Sequence, residues 1–159
     1  MSKAVDSFYT LYNNPFLMSE IVIEFYKHYD MSQKNDVLLS YIVLPLSLYE
    51  PSKIALKRAN TQRSIRTFVK APERLFGLAD RVIEYKKITN MAIQFALDKR
   101  SIIIDEKLSI HVNTENLAPS NTSLKAYLNA AANLAKMLKG VDIVSVYRQL
   151  GIKKIWKVI

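Results

Sequence analysis

Apolar side chains recur every fourth position after the pair Asn14–Pro15. Leu17, Ile21, Phe25 and Tyr29 would then line one face of an α-helix, with the acidic side chains of this stretch away from it. Asparagine is a preferred N-cap, and proline is tolerated at the first helical position because its missing N–H has no partner there. The pattern predicts an amphipathic helix that ends at about residue 28.

A second apolar run, residues 37–49, is hydrophobic nearly all round and contains Pro45. Periodicity alone does not separate strand from helix in such a run, and we favour a central buried helix with Asp36 as its cap. Proline disfavours the helical conformation in the residue before it, so this helix is expected to kink or to end before Pro45. Pro51 and Ser52 then open a short helix.

Three further helices are predicted in the middle of the chain, each from an apolar stripe that follows a capping residue or a proline. Their predicted starts and ends are a cap at Thr61 with residues 62–70, a start at Pro72 continuing to residue 87, and a start at Thr89 and Asn90 ending near Arg100. Two short β-branched runs, SIIID and LSIHV, follow them. Because the polar residues Asp105, Glu106 and Lys107 separate the β-branched residues of the two runs, the pattern predicts a β-hairpin.

The C-terminal third has one polar segment and two helical patterns. Residues 113–121 contain a proline and predict a mobile loop. The apolar face of the next helix starts at Leu124 and ends at Leu138, with Thr122 or Ser123 as its cap and Gly140 after its end. A last helix is expected from about Asp142 to Leu150, with Val144, Tyr147 and Leu150 on one face.

This order of elements predicts a mainly α fold with a short β-hairpin, in a single domain that spans residues 1–159. A chain of this length buries roughly 68 to 70% of the surface that it exposes when unfolded, so it can fold without disulfides or a structural metal. Helices, a hairpin and two further helices are also compatible with a winged-helix-like core, in which the hairpin is the wing. Such a comparison concerns the fold and does not give the function.

Composition narrows the chemistry that the chain can carry. The 159 residues include no cysteine, which excludes disulfides, thiolate metal sites and a cysteine nucleophile. The three glycines are scattered, so they form no glycine-rich phosphate loop. His28 and His111 lie far apart, and neither has a second ligand at metal-binding spacing. We therefore expect no catalytic residues, no metal and no cofactor.

Neither a secretion signal nor a membrane span is predicted. The first residues, MSKAVDSFYT, lack a basic segment followed by an apolar core. No run approaches the roughly 18 consecutive apolar residues of a membrane span. We expect a cytoplasmic protein that makes no contact with a membrane.

Positive charge is concentrated in the middle of the chain. Residues 1–50 have three bases and six acids, residues 51–100 have twelve and four, and residues 101–159 have eight and four. Such a distribution attracts polyanions or an acidic protein surface. The candidate DNA- or partner-binding residues are Lys53, Lys57, Arg58, Arg63, Arg66, Lys70 and Arg74.

The second half of this basic series has helical spacing. Arg63, Arg66, Lys70 and Arg74 would share one face of a continuous helix, although Pro72 is expected to interrupt it. Three interpretations stay open at this point. The side chains can neutralise the phosphates of double-stranded DNA without reading its sequence, they can dock an acidic protein, or they can form a solvated helix face.

Three segments within residues 14–112 resemble the middle component of the three-component ABC systems of bacteria. They are NPFLMSEIVIEFYKHY, LLSYIVLPLSLYEPSKIAL and RSIRTFVKAPERLFGLADRVIEYKKITNMAIQFALDKRSIIID. In that family an Asn-Pro pair and a helix lead to a leucine- and proline-rich stretch, followed by a helical segment and a short hairpin. The resemblance rests on this succession of features and involves no single diagnostic motif.

The resemblance implies an accessory subunit that binds an SMC-like ABC ATPase and works with an effector, often a nuclease, in defence against phages and plasmids. Lamassu systems are the most similar kind. Such a subunit would be non-catalytic and would couple the DNA-engaged state of the ATPase to the effector. The alternative function is that of a free-standing, winged-helix-like transcriptional regulator that binds DNA.

Overall fold

The computed structural model describes residues 14–30, 32–58 and 64–154. Seven α-helices occur in these ranges: α1 (Pro15–His28), α2 (Ser40–Ser47), α3 (Glu50–Lys57), α4 (Ile65–Phe68), α5 (Leu78–Asp98), α6 (Lys125–Leu138) and α7 (Ile143–Gln149). The strands are β1 (Ile102–Ile104) and β2 (Ile110–Val112), and 3-10 turns span Asp36–Leu39, Pro72–Arg74, Thr114–Asn116 and Thr122–Leu124. The predicted mainly α fold with a short β-hairpin is confirmed.

The first helix, α1, forms as its sequence predicts. The Oδ1 atom of Asn14 accepts hydrogen bonds from the amides of Phe16 at 3.0 Å and Leu17 at 3.4 Å. Ile21 and Phe25 are fully buried on the predicted face. That face contacts both α5 and α6, so α1 lies at the centre of the helical packing.

The second apolar run is helical, but its helix does not end before Pro45. Pro45 lies inside α2, and the chain is buried continuously from Ile42 to Leu48. The amide of Leu48 still donates to the carbonyl of Leu44 at 3.0 Å. Because α2 packs against α5 and α6 and is buried around the proline, burial holds the helical conformation past Pro45.

Asp36 does not cap the second helix, contrary to the prediction. Its side chain is fully buried and accepts from the amide of Gln33 at 3.1 Å and from the amide of Ile110 at 2.8 Å. The Ser109 hydroxyl donates to the Gln33 carbonyl at 2.6 Å. Asp36 therefore attaches the β-hairpin to the chain that enters α2.

The middle of the chain differs from the three predicted helices. The predicted cap Thr61 lies outside the described residues, and α4 is a single turn capped by Ser64. The segment from Pro72 forms only a 3-10 turn, after which Gly77 adopts a left-handed conformation at φ +66°. One helix, α5, then runs without a break through Thr89, where a new start was predicted.

The strands β1 and β2 form the predicted antiparallel hairpin, in the register Ile102 with Val112 and Ile104 with Ile110. Ile102 and Ile110 are buried, and β2 contacts α1 while β1 contacts α5. A two-stranded hairpin alone is marginally stable in water. The hairpin is thus held by the helices on its inner face.

The predicted apolar face of α6 is buried, and it packs against α1, α2 and α3. Its predicted cap moves by one residue, because Asn121 caps the 3-10 turn that precedes the helix. Asp142 caps α7 through hydrogen bonds from two amides. Tyr147 and Leu150 are buried as predicted, whereas Val144 is exposed. The single domain, the mobile loop at about 113–121 and the winged-helix comparison stay predictions.

Candidate functional site

Two of the seven predicted binding residues are engaged within the fold. The Lys53 ammonium lies 2.7 Å from a Glu50 carboxylate oxygen and 4.8 Å from the ring centroid of Tyr127, and its side chain is only 16% exposed. Arg74 donates through Nη1 to the carbonyl of Phe68 at 3.2 Å. Both cations help to hold segments of the protein together, which leaves little of either for a partner.

Four other predicted residues are exposed: Lys57, Arg58, Arg66 and Lys70. We call these four side chains the basic surface. Among the described residues, none of the four forms an ion pair. Arg63, the seventh predicted residue, lies outside the described residues.

Arg66, Lys70 and Arg74 do not share one continuous helix, in line with the interruption expected at Pro72, and the helix that carries Arg66 ends at Phe68 rather than at Lys70. Arg66 is on the single turn α4, Lys70 follows the end of that turn, and Lys57 is at the end of α3. The helix α3 packs against the 3-10 turn Pro72–Arg74, which follows Lys70 closely in the chain. A tertiary contact, rather than helical periodicity, therefore links the segment that carries Lys57 to the segment that follows Lys70.

The turn before α5 carries a feature that the sequence interpretation missed. Phe76 is 77% exposed, the largest exposure among the large hydrophobic side chains that are described as exposed. Its carbonyl accepts a hydrogen bond from Nη1 of Arg81. The Arg81 guanidinium lies 3.7 Å from the ring centroid of Tyr49, and burial lowers its pKa. The pair Phe76–Gly77 was the available signal, because glycine commonly marks a break in a helix.

A groove of about 220 Å³ lies between α1, the end of α5 and the segment 117–120. Phe16, Phe95 and Leu117 contribute its apolar lining, while glutamates of α1 and Lys99 are among its polar side chains. Phe16 and Phe95 meet edge to face, with ring centroids 5.3 Å apart. The groove brings together apolar and charged groups of both signs.

Each histidine lies close to a carboxylate that is near it in the sequence. His28 Nδ1 lies 3.4 Å from a Glu24 oxygen, and His111 Nε2 lies 2.7 Å from Asp105 Oδ2. The contact with His111 holds the pKa of Asp105 below its usual value. In the described part of the chain, no group of three or more histidine, aspartate or glutamate residues could hold a metal ion.

Comparison with protein families decides the class of this chain. Residues 2–154 match the family described as ABC-three component (ABC-3C) system Middle Component 3. The chain belongs to this family. Middle component 3 is an accessory component, and the resemblance to ABC middle components that the sequence suggested is confirmed. Neither the curated proteins nor the solved structures gave a match to this middle component.

The family places the middle component in a system of three components. Such a system implies partners, an ABC ATPase component and an effector component. No helix in residues 14–30, 32–58 or 64–154 is long and apolar enough to cross a membrane.

Proposed function

We propose that this middle component is a non-catalytic, cytoplasmic subunit of a bacterial defence complex of the Lamassu kind. It binds an SMC-like ABC ATPase and helps to couple the DNA-engaged state of that ATPase to an effector nuclease. Family membership supports the accessory role. The observation that carries the binding role is the basic surface, four exposed cations without an ion-pair partner among the described residues.

Coexpression with the other two components of its own system tests the proposal. The tagged middle component should copurify with the ABC ATPase component at low salt. Retention should weaken as salt is raised, because exposed charges are screened over about 10 Å at 0.1 M ionic strength. A middle component that stays a stable monomer beside the ATPase contradicts the proposal.

The second candidate is a free-standing DNA-binding regulator, which the hairpin between α5 and α6 favours. A regulator binds one operator sequence tightly as a dimer, whereas an accessory subunit makes weak and salt-sensitive contact with any duplex. Binding of the isolated protein to its own promoter region and to a scrambled duplex, measured by fluorescence anisotropy, separates the two. Equal affinities for both duplexes argue against the regulator.

A further inference from the structure

The groove between α1, the end of α5 and the segment 117–120 follows one face of α1 from its first turn to its last. Phe16, Ile23 and Lys27 all line it. A helix rises 1.5 Å per residue, so the stretch from Phe16 to Lys27 is roughly 16 Å long. The volume of about 220 Å³ is below the roughly 300 to 1,000 Å³ of pockets for drug-sized ligands. A ligand of this groove is therefore small and elongated.

The apolar part of the groove centres on a pair of aromatic rings. Phe16 and Phe95 meet edge to face with ring centroids 5.3 Å apart, and Phe16 is still 43% exposed. Ile23 and Leu117 add aliphatic surface to the lining. An apolar side chain that packs on the ring pair removes this surface from water, which favours binding.

Four charged side chains also line the groove, and two of them neutralise each other. The Lys27 ammonium lies 3.8 Å from a Glu24 oxygen. Glu20 accepts a hydrogen bond from the amide of Asn121 at 3.3 Å, but no described cation pairs with it. Lys99 likewise has no carboxylate partner within the described ranges, and its ammonium lies 5.7 Å from the ring centroid of Phe95. The groove thus retains one unpaired negative and one unpaired positive charge.

The positions of these two charges follow from the helices that carry them. Glu20 comes four residues after Phe16 in α1, and Lys99, the helical C-cap of α5, comes four residues after Phe95. Side chains four residues apart on a helix are neighbours. Because the two rings touch, a ligand on the ring pair meets a carboxylate beside one ring and an ammonium beside the other.

A buried hydroxyl adds a polar group to the same lining. Ser101 is only 8% exposed, and its Oγ atom lies 3.5 Å from the carbonyl of Asn116. A hydrogen bond at this distance is weak. Since buried polar groups are nearly always bonded, this hydroxyl has capacity for a polar group of a ligand.

We propose that this groove binds a short apolar peptide with free termini, such as a dipeptide. The N-terminal ammonium of the peptide pairs with Glu20, and its C-terminal carboxylate pairs with Lys99. An apolar side chain packs on Phe16 and Phe95, and the Ser101 hydroxyl bonds the peptide group. The inference goes beyond the proposed function and does not depend on what the basic surface binds.

Titration of the isotope-labelled, full-length protein with the dipeptide leucylphenylalanine tests the proposal by amide NMR. The amides of Ser101, Leu117 and Lys99 should shift in a saturable manner. The N-acetylated and the C-amidated dipeptides should each bind about two- to fivefold more weakly, because partly exposed ion pairs contribute modestly to affinity.

Two variants assign the termini of the peptide to their partners. Lys99→Met should abolish the preference for the free over the amidated C-terminus, and Glu20→Gln should abolish the preference for the free over the acetylated N-terminus. The matched controls, Lys136→Met and Glu106→Gln at exposed positions, should keep both preferences. Urea midpoints of all four variants should stay near that of the unaltered protein, since none of these side chains is buried.

The outcomes separate this site from the proposed function. If the dipeptide shifts none of the groove amides up to its solubility limit, the site is wrong and the ATPase partnership is unaffected. Equal affinities for the free and the blocked dipeptides also overturn the proposal, because the two charges then select nothing. If the groove amides respond only to the ATPase or the effector component, the groove is a protein interface and the proposal is wrong. Failure to copurify with the ATPase component contradicts the proposed function alone.

Discussion

At the scale of single residues, Asp36 shows how a buried carboxylate is tolerated when its hydrogen bonds are satisfied. Its two oxygens accept from the amides of Gln33 and Ile110, which lie on different segments of the chain. The carbonyl of Asp36 also accepts from the Tyr26 hydroxyl at 2.6 Å. Buried polar groups are nearly always bonded in this manner, because an unpaired one is costly.

Replacing Asp36 by alanine should lower the free energy of unfolding by about 2 to 3 kcal/mol, because the buried amide of Ile110 and the partly buried amide of Gln33 lose their acceptor. Urea denaturation followed by circular dichroism measures the change. Glu106→Ala is the matched control, since Glu106 is exposed at the tip of the same hairpin. An effect of Asp36→Ala no larger than that of the control would show that the hairpin does not depend on this carboxylate.

Asp36 should also make the stability of the protein depend on pH. Burial raises its pKa in the folded state, and the two amide hydrogen bonds oppose that rise without cancelling it. The folded state therefore binds this proton more readily than the unfolded state, so the stability from this group falls as pH rises between the unfolded and folded pKa values. As pH decreases through that window, the free energy of unfolding of the unaltered protein should rise relative to that of Asp36→Asn, whose side chain does not titrate. Urea unfolding of both proteins across acidic pH measures this slope, and parallel curves would contradict it.

At the scale of elements, the length of α5 was not evident from its sequence. Thr89 and Asn90 suggested a new start because both residue types favour helix caps. In the fold, Thr89 is fully buried, and Asn90 accepts from the Tyr41 hydroxyl at 2.7 Å. Contacts with α1 and α2 thus favour a continuous helix where local preference suggested two.

The close packing of α6 makes a second prediction at this scale. Ala131 is fully buried on the face that meets α1, α2 and α3. Ala131→Leu should cost about 1 to 3 kcal/mol in unfolding free energy, because added atoms overpack a filled core. The control is Ala79→Leu, the same change at an exposed position of α5. Equal urea midpoints for the two variants would mean that the core around Ala131 has space for a larger side chain.

At the scale of the whole molecule, the basic surface determines which macromolecules the protein attracts. Arg66→Glu combined with Lys70→Glu should leave the free energy of unfolding within about 0.5 kcal/mol, since both side chains are exposed. Assembly with the ABC ATPase component should weaken about tenfold at low salt and less at high salt. The control is the matching charge reversal, Lys125→Glu with Lys136→Glu, at two exposed cations of α6.

Titration with duplex DNA tests the alternative, that the basic surface binds DNA. The double variant can assemble normally and yet bind duplex DNA with a shallower salt dependence. If the slope of log K against log salt becomes less negative by roughly 1.8, two phosphate contacts have been lost. The basic surface then belongs to DNA and not to the ATPase component. Salt-dependent pull-down and fluorescence anisotropy on the same preparations measure both quantities.

The sequence by itself determined the parts that depend on neighbours along the chain. The cap at Asn14, the amphipathic faces of α1 and α6 and the hairpin all follow from local spacing and capping chemistry, and the family resemblance followed from their order. Of the candidate site, the sequence named the four cations of the basic surface, which are exposed, and it also named Lys53 and Arg74, whose partners within the fold it did not reveal.

Only the tertiary structure decided which groups meet across long stretches of chain. Asp36 bonds the amide of Ile110, Lys53 lies over Tyr127, and Arg81 of α5 stacks on Tyr49. Periodicity assigns a residue to a face of its own element, but not to the element that will cover that face. The continuity of α5 and the exposure of Phe76 depend on that covering, which is a property of the packed helices together.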